Sequence, residues 1–321
     1  MFSFQWALIG RKPEDRLPLA KAFIAKTIWN FPTTRTLLDY LKNAPSLRRL
    51  CGWQTASEIP SEATFSRSFA DFALFHLPEK IHEAMVKENL GDVLMGHISR
   101  DATAIPVREK PTATPPPTPK PETSRKRGRP VKDHPIQPKE PKRLELQPYR
   151  SLEENLADLP ILCNHGTKRN SQGFKDSWIG YKLHLDVIDG DIPVSAILTS
   201  ASLHDSQVSI PLAQMSNQRL TSCYDLMDAA YDAKEIHAFS RQLGHVPIID
   251  PNPRRGEKIP MEPARAQRFK QRSSVERVNS QLKDNFGAMF VRVRGAAKVM
   301  CHLMFGVITC TAIQLLHRLS G

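Results

Sequence analysis

The sequence predicts an α/β protein in which a mixed sheet flanked by helices follows an all-helical module. Apolar residues recur at helical spacing over residues 17–90, and from residue 178 onward the pattern changes to strands that alternate with helices. The chain has 321 residues, 40% of them hydrophobic, so it is long enough for one large core or two smaller ones. This composition excludes a wholly disordered or a fibrous protein.

The helical module is expected over residues 1–90. Residues 34–41 place three leucines on one face, residues 46–50 form a second short helix, and Ser61 is placed to cap a third. Three arginines supply basic side chains: Arg48, Arg49 and Arg67. Short helices with such side chains fit a helix-turn-helix-like DNA-binding module, although a helical bundle with solvated arginines explains the pattern equally well.

The formal net charge of +12 is concentrated in two short stretches. Residues 106–150 hold 12 basic and 5 acidic side chains (+7), and residues 261–298 hold 9 and 3 (+6). Residues 151–260 hold 10 basic and 14 acidic side chains (−4). Charge placed in this way predicts nucleic acid as a partner and indicates metal-binding carboxylates between two basic arms.

Residues 106–150 are predicted to be a disordered, proline-rich basic insertion. They contain twelve prolines and almost no apolar residues that could pack. Within them, Arg127-Gly128-Arg129-Pro130 resembles an AT-hook, in which Arg127 and Arg129 would enter an A·T minor groove. A solvated linker without specific DNA contacts is the alternative.

A first strand over residues 93–105 precedes this insertion, and further elements follow it. They are a β-hairpin (181–187 and 194–198), a helix from Asp205, a strand (223–228), a helix from Asp232 to Gly244, a strand (246–249) and a closing helix (299–316). Asp232 and Glu235 are spaced as a capping box. Because the apolar stretch 299–316 is interrupted and barely reaches the roughly 20 residues of a membrane span, we expect it to be buried in the protein.

Two aspartates occupy strand positions suited to chemistry. Asp101 lies within or at the end of the first predicted strand, and Asp228 closes the strand after the hairpin, each beside small residues. Either residue is a solvated turn former or a ligand at the open end of a sheet, and Asp225 is a rival for Asp228. Asp205, beside His204, is interpreted as a loop-stabilising residue.

A third acid, Glu276, lies on a helix predicted over residues 263–283. Four residues of this helix share one narrow face at spacings of three, four and seven: Phe269, Arg272, Glu276 and Lys283. A separate apolar stripe allows the helix to pack on the sheet while it presents an aromatic ring, two cations and a carboxylate. An ordinary exposed face with Arg272 paired to Glu276 is the alternative.

Taken together, these motifs resemble the DDE transposases of bacterial insertion sequences. One group of that family has the signature Tyr-x2-Arg-x3-Glu-x6-Lys, which reads here Phe269-x2-Arg272-x3-Glu276-x6-Lys283. The first acid motif of the family is similar to Ser99-Arg100-Asp101-Ala102-Thr103, and the second to Met227-Asp228-Ala229-Ala230-Tyr231-Asp232. Similar motifs in the helical module and the hairpin stand in the same order as in the family.

The resemblance implies an RNase H-like catalytic domain, formed by residues 91–105 and 151–321 around the insertion. In such a domain three acids converge on two Mg²⁺ ions, for which Mn²⁺ substitutes: Asp101, Asp228 and Glu276. The resemblance further implies that Arg272 and Lys283 hold phosphates of the transposon end. Phe269 replaces the tyrosine of the signature and lacks its hydroxyl, so stacking on DNA is the role left to it.

The predicted function is that of an insertion-sequence transposase. Such a protein binds double-stranded DNA at the terminal repeats of its element and at the target, works as a homodimer, and cleaves and joins strands with Mg²⁺. A degenerate transposase that only binds DNA, and a structure-selective nuclease on the same fold, are the alternatives. Five widely spaced cysteines without a C-x-x-C pair predict a reduced, cytoplasmic setting. The resemblance to a transposase implies association with the nucleoid, and no membrane partner is expected.

Overall fold

The computed structural model of the protein describes residues 14–112, 140–169, 172–252 and 260–320. An all-helical module precedes a mixed sheet flanked by helices, and the predicted fold class is therefore confirmed.

The amino-terminal module is helical and its helix ends follow local sequence signals. Its helices are α1 (Arg16–Ile28), α2 (Thr34–Asn43), α3 (Pro45–Cys51), α4 (Glu62–Leu74) and α5 (Leu77–Leu90). The side-chain oxygens of Thr33 and Ser61 cap α2 and α4, and Gly52 ends α3 in the left-handed region. Ser61 therefore caps a helix as predicted.

The sheet of the described chain contains an antiparallel part and a parallel part. Its strands are β1 (Leu94–Pro106), β2 (Asn164–Arg169), β3 (Lys175–Ile188), β4 (Ile192–Ser200), β5 (Thr221–Met227) and β6 (Val246–Ile249). β3 lies between β4 and β1 and is antiparallel to both, whereas β5 is parallel to β1 and β6 is parallel to β5. The order β4-β3-β1-β5-β6 agrees with the RNase H-like fold that the resemblance implies.

Helices cover both faces of the sheet. In chain order they are α6 (Arg143–Leu146), α7 (Leu152–Asp158), α8 (Ser206–Asn217), α9 (Lys234–Gln242), α10 (Pro263–Phe269), α11 (Ser273–Asp284) and α12 (Ala296–Ser320). On one face, buried β3 side chains such as Leu183 and Leu185 pack with Val275 and Val278 of α11. On the other face, α8 packs on β3 and β4.

Helix α12 joins the helical module to the sheet domain. Cys301 and Phe305 belong to the hydrophobic core of the module, whereas Val299 and Leu303 belong to the core between α11 and the sheet. By length and composition α12 could cross a membrane, but 67% of its apolar window is buried inside the protein. The predicted buried closing helix is confirmed, and a membrane protein is not indicated.

The predicted helix start at Asp232 is wrong. Helix α9 begins two residues later, at Lys234, and its N-cap residue is Ala233. The Asp232 carboxylate instead accepts a hydrogen bond from the backbone N–H of Asn252 at 3.0 Å and lies 3.0 Å from His237 Nε2. The local pattern predicted that the Asp232 side chain caps a helix. In the structure it instead makes a tertiary contact with the segment after β6.

The predicted single helix over residues 263–283 is also wrong, because a 3₁₀ turn (Lys270–Arg272) separates α10 from α11. Two carbonyls of this turn accept hydrogen bonds from side-chain hydroxyls, Lys270 from Ser273 at 3.0 Å and Gln271 from Ser99 at 3.2 Å. Hydroxyls that bond to backbone groups compete with regular helix formation. The Ser99 contact also attaches the start of α11 to β1.

The prediction of an unpacked insertion up to residue 150 is wrong for its last part. Helix α6 and the 3₁₀ turn Gln147–Tyr149 lie there, and the buried Gln147 side chain donates to the carbonyl of Gln207 on α8 at 2.7 Å. Strand β2 was not predicted either. Its sequence, Asn-His-Gly-Thr-Lys-Arg, has no apolar alternation, and it forms through backbone pairing with β3.

Candidate active site between two strands and helix α11

Asp101 lies on β1, and Asp228 directly follows β5, the parallel neighbour of β1. The β1–β5 ladder extends to the pair Arg100 and Met227, so the next position on each chain is one of the two aspartates. Residues at matching positions of parallel strands point to the same face of a sheet. That face is the one covered by α11, because Asn279 Nδ2 donates to Asp101 Oδ2 at 3.2 Å.

The two carboxyls are poorly compensated by positive charge. Burial raises the pKa of Asp101 to about 6, and the charges of Asp228 and Asp205 act in the same direction. Burial also raises the pKa of Asp228, to which Asp205 again contributes. The charge of Arg272 opposes both shifts. Neighbouring carboxylates with raised pKa values favour a cation at this position.

Arg272 lies between these aspartates and Glu276. Its Nη2 donates to Glu276 Oε1 at 2.7 Å, and its Nη1 is buried without a hydrogen-bond partner among the described residues. The guanidinium carbon lies 5.9 Å from the centroid of the Phe269 ring. The i, i+4 ion pair of Arg272 with Glu276, which was the alternative interpretation of the sequence, is therefore present. Phe269 lies beside Arg272.

Glu276 occupies the first turn of α11 with 56% of its side chain exposed. It is on the helix that covers the two aspartates, but its carboxylate is engaged by Arg272. Within residues 14–112, 140–169, 172–252 and 260–320, no three His, Cys, Asp or Glu side chains lie close enough to ligate one metal ion together. The structure thus brings Asp101 and Asp228 together and leaves Glu276 in an ion pair.

Lys283 lies two turns after Glu276 on α11. Burial lowers the pKa of its ammonium, the charge of Lys168 on β2 acts in the same direction, and the charge of Asp101 opposes it. Two lysines from different elements therefore lie near each other on the side of the site where β2 pairs with β3.

This geometry agrees with the result of the family comparison. Residues 96–311 match the family described as Transposase DDE domain, and residues 2–71 match the family described as Transposase domain (DUF772). The chain belongs to the DDE transposase family. The first match covers more than half of the chain and includes Asp101, Asp228 and Glu276. No curated protein and no solved structure matches the chain.

Asp225, the rival for the second acid of the transposase, is a core residue. Its side chain is buried, and His245 Nδ1 lies 3.2 Å from both carboxylate oxygens. Burial alone would raise the pKa of Asp225, but His245 and the charge of Arg100 outweigh it and lower the pKa. Asp225 therefore has its own partners in the core and is not beside Asp101.

The arginines predicted to contact DNA have different environments. Arg48 is buried and donates to the carbonyls of Leu41 and Lys42, so its predicted place on a DNA-binding surface is wrong. Arg67 is exposed on α4. Arg127 and Arg129 lie outside the described residues.

Two polar residues near the site were not identified from the sequence. Asn279 lies three residues after Glu276 and four before Lys283, so the helical spacing that selected those residues also selects Asn279. Tyr231 follows Asp228 by three residues, and its side chain is buried. No spacing rule distinguishes it from a core tyrosine.

Proposed function

We propose that this transposase is encoded by an insertion sequence, binds the terminal inverted repeats of that element, and catalyses Mg²⁺-dependent cleavage and transfer of DNA strands. The observation that carries the proposal is the register that sets Asp101 beside Asp228 under α11. Two adjacent carboxylates, one on β1 and one directly after β5, both with raised pKa values, are suited to bind a divalent cation.

The donor chemistry of these residues fits magnesium. Carboxylate oxygens are the ligands that Mg²⁺ prefers, and Asp101 and Asp228 would hold it, with Glu276 as a third ligand. When bound, divalent ions polarise phosphoryl oxygens and stabilise the attacking and leaving oxygens of a phosphodiester displacement. Mn²⁺ has similar ligand preferences, so we expect it to substitute.

Arg272 has two tasks in this proposal. In the structure it neutralises Glu276, and its charge lowers the pKa values of both aspartates. If Glu276 served as a ligand of a divalent cation, the guanidinium of Arg272 would be free to bind a DNA phosphate, for which its planar donor geometry is suited. Asn279 holds the carboxylate of Asp101 in place. Lys283 and Lys168 would bind the phosphates next along the strand.

The remaining DNA contacts are assigned to the basic regions of the chain. Arg67 on α4 would contact the terminal repeat, and Arg127 and Arg129 of the insertion would enter an A·T minor groove. A homodimer would hold two ends together, and the protein would act in the cytoplasm at the nucleoid. Because binding releases counterions from DNA, its affinity should fall linearly with salt on a double-logarithmic plot.

The test is an assay on labelled element ends with Mg²⁺ that follows end binding, cleavage and strand transfer. Asp101→Asn, Asp228→Asn and Glu276→Gln should each abolish cleavage and leave end binding largely intact. Glu88→Gln, at an exposed position on α5, is the matched control and should behave as the wild type. Cleavage that survives Asp101→Asn would refute the proposal.

A degenerate transposase that only binds DNA is the second candidate. The exposed position of Glu276, its ion pair with Arg272 and the phenylalanine at position 269 favour it. It predicts end binding by the wild type without metal-dependent nicking. A structure-selective nuclease would instead cut without specific ends and would not join strands.

A further inference from the structure

Asn279 is a polar side chain on the buried face of α11. It is 8% exposed and shares that face with three apolar residues that pack the helix on the sheet, Val275, Val278 and Leu282. A buried amide costs free energy unless its donor and acceptor groups are both hydrogen-bonded. Leucine has nearly the same shape and would avoid this cost, so packing alone does not account for an amide at this position.

The two ends of this amide have different environments. Nδ2 donates a hydrogen bond to Asp101 Oδ2 at 3.2 Å. Because an ionised carboxylate only accepts hydrogen bonds, the amide nitrogen faces Asp101 and the amide oxygen is left as an acceptor. This Oδ1 is buried and has no hydrogen-bond partner in the part of the chain that the structure describes. A buried acceptor without a donor indicates a contact for a group that the protein does not supply itself, and bound water is the usual one.

Helix α11 is attached to β1 at two points. Ser99 Oγ donates to the carbonyl of Gln271 at 3.2 Å, and Ser99 lies two residues before Asp101 on the same face of β1. The second point is the hydrogen bond from Asn279 to Asp101, about two helical turns further along. The backbone that carries Asn279 is therefore fixed relative to β1, so its amide favours one orientation of the Asp101 carboxylate.

We propose that Asn279 is a positioning residue for a divalent cation bound at Asp101 and Asp228. Its Nδ2 orients the Asp101 carboxylate, and its Oδ1 accepts a hydrogen bond from a water of the cation. This inference rests on the proposed function, which supplies the cation. Mg²⁺ keeps several of its waters when bound to protein, and groups that orient its ligands or waters contribute strongly to affinity.

The test measures binding of Mn²⁺ alone to the full-length protein, with free Mn²⁺ followed by electron paramagnetic resonance. Asn279→Leu keeps the shape of the side chain and removes both polar ends. It should weaken Mn²⁺ binding about 10–100-fold, the usual effect of removing an outer-sphere partner. Ser280→Ala, at the next and exposed position of α11, is the control and should bind Mn²⁺ as the wild type does. Circular dichroism establishes that each variant is folded.

Asn279→Asp separates positioning of the cation from a purely structural role in holding α11 on β1. The change removes the donor to Asp101 and places a negative charge where the amide was. A structural role predicts that Asn279→Asp and Asn279→Leu weaken Mn²⁺ binding alike, because both lose the hydrogen bond. If Oδ1 lies beside a water of the cation, attraction by the added charge outweighs that loss, and Asn279→Asp should bind Mn²⁺ about tenfold more tightly than the wild type, or better.

Wild-type affinity in Asn279→Leu, or binding by Asn279→Asp that is no tighter than that of the wild type, would overturn the inference while the proposed function stands. If Asn279→Leu is unfolded, the comparison of Asn279→Asp with the wild type decides. If the wild type binds no Mn²⁺, or if Asp101→Asn binds it normally, the proposed function fails and this inference fails with it.

Discussion

Replacing Arg100 by methionine should strongly destabilise the sheet domain. Arg100 donates to both carboxylate oxygens of Asp186 at 2.7 Å, and the two side chains are 2% and 0% exposed. In Arg100→Met the carboxylate stays buried with the hydroxyl of Ser216 as a donor. Removing one partner of a buried ion pair costs about 3–5 kcal/mol, a large part of the roughly 5–15 kcal/mol that stabilises a typical protein.

The assay is urea unfolding of the full-length protein followed by circular dichroism, in which the midpoint should fall at an unchanged slope. Arg277→Met is the matched control, since Arg277 also donates twice to one carboxylate, that of Asp191, at 2.8 and 2.6 Å, but is 51% exposed. We expect it to cost less than about 1 kcal/mol. The double variant Arg100→Met/Asp186→Leu should recover most of the loss. If Arg100→Met costs no more than Arg277→Met, the reasoning from burial is refuted.

Two further predictions concern stability. Burial, helped by the charge of Arg219, lowers the pKa of His82 to about 3. The unfolded chain therefore takes up a proton at this residue near pH 6.5 and the folded one does not, so stability present above that pH is lost as the pH falls. The contribution of His82 to the loss at pH 5 should be about 2 kcal/mol, from 1.5 pH units at about 1.4 kcal/mol each. Burial also lowers the pKa values of His184 and His302 to about 4, which adds losses of the same sign. Urea titrations at pH 7.5 and 5 should therefore show a loss that is about 2 kcal/mol smaller in His82→Gln than in the wild type. Gly180→Ala should destabilise the protein by about 1–3 kcal/mol, because a Cβ there would lie 2.2 Å from a carbonyl oxygen of β1 at φ +151°. A melting temperature equal to that of the wild type would contradict this second prediction.

The elements predicted correctly are those in which the pattern of apolar residues in the sequence matches the burial of the same residues in the structure. Residues 181–187 alternate because one face of β3 packs on α11, and that alternation is visible without the partner. Strand β2 has no such pattern, since its pairing depends on backbone groups of β3 and on Trp178, whose ring lies against Gly166. The helix at residues 143–146 escaped prediction because proline-rich sequence surrounds it and its packing partner, α8, lies some 60 residues away.

The site was predicted in its components but not in its arrangement. Spacing placed Arg272 and Glu276 within reach of each other, and the structure shows the ion pair that this spacing allows. The 3₁₀ turn before α11 was not predictable, because it depends on a hydrogen bond from Ser99, which is 172 residues away in sequence. Asp205 was interpreted as a local loop residue for the same reason: its effect on Asp101 arises only through space.

The sequence by itself determined the fold class, the order of the acid motifs and the family to which the chain belongs, because these are recorded in local periodicity and motif spacing. Tertiary structure alone decided which charged side chains meet. It paired Arg100 with Asp186 in the core and Asp225 with His245, and it left Asp101 and Asp228 side by side with raised pKa values. The physical reason is that a carboxylate's role depends on its burial and on the charges within a few ångströms, and strand register and helix packing set both.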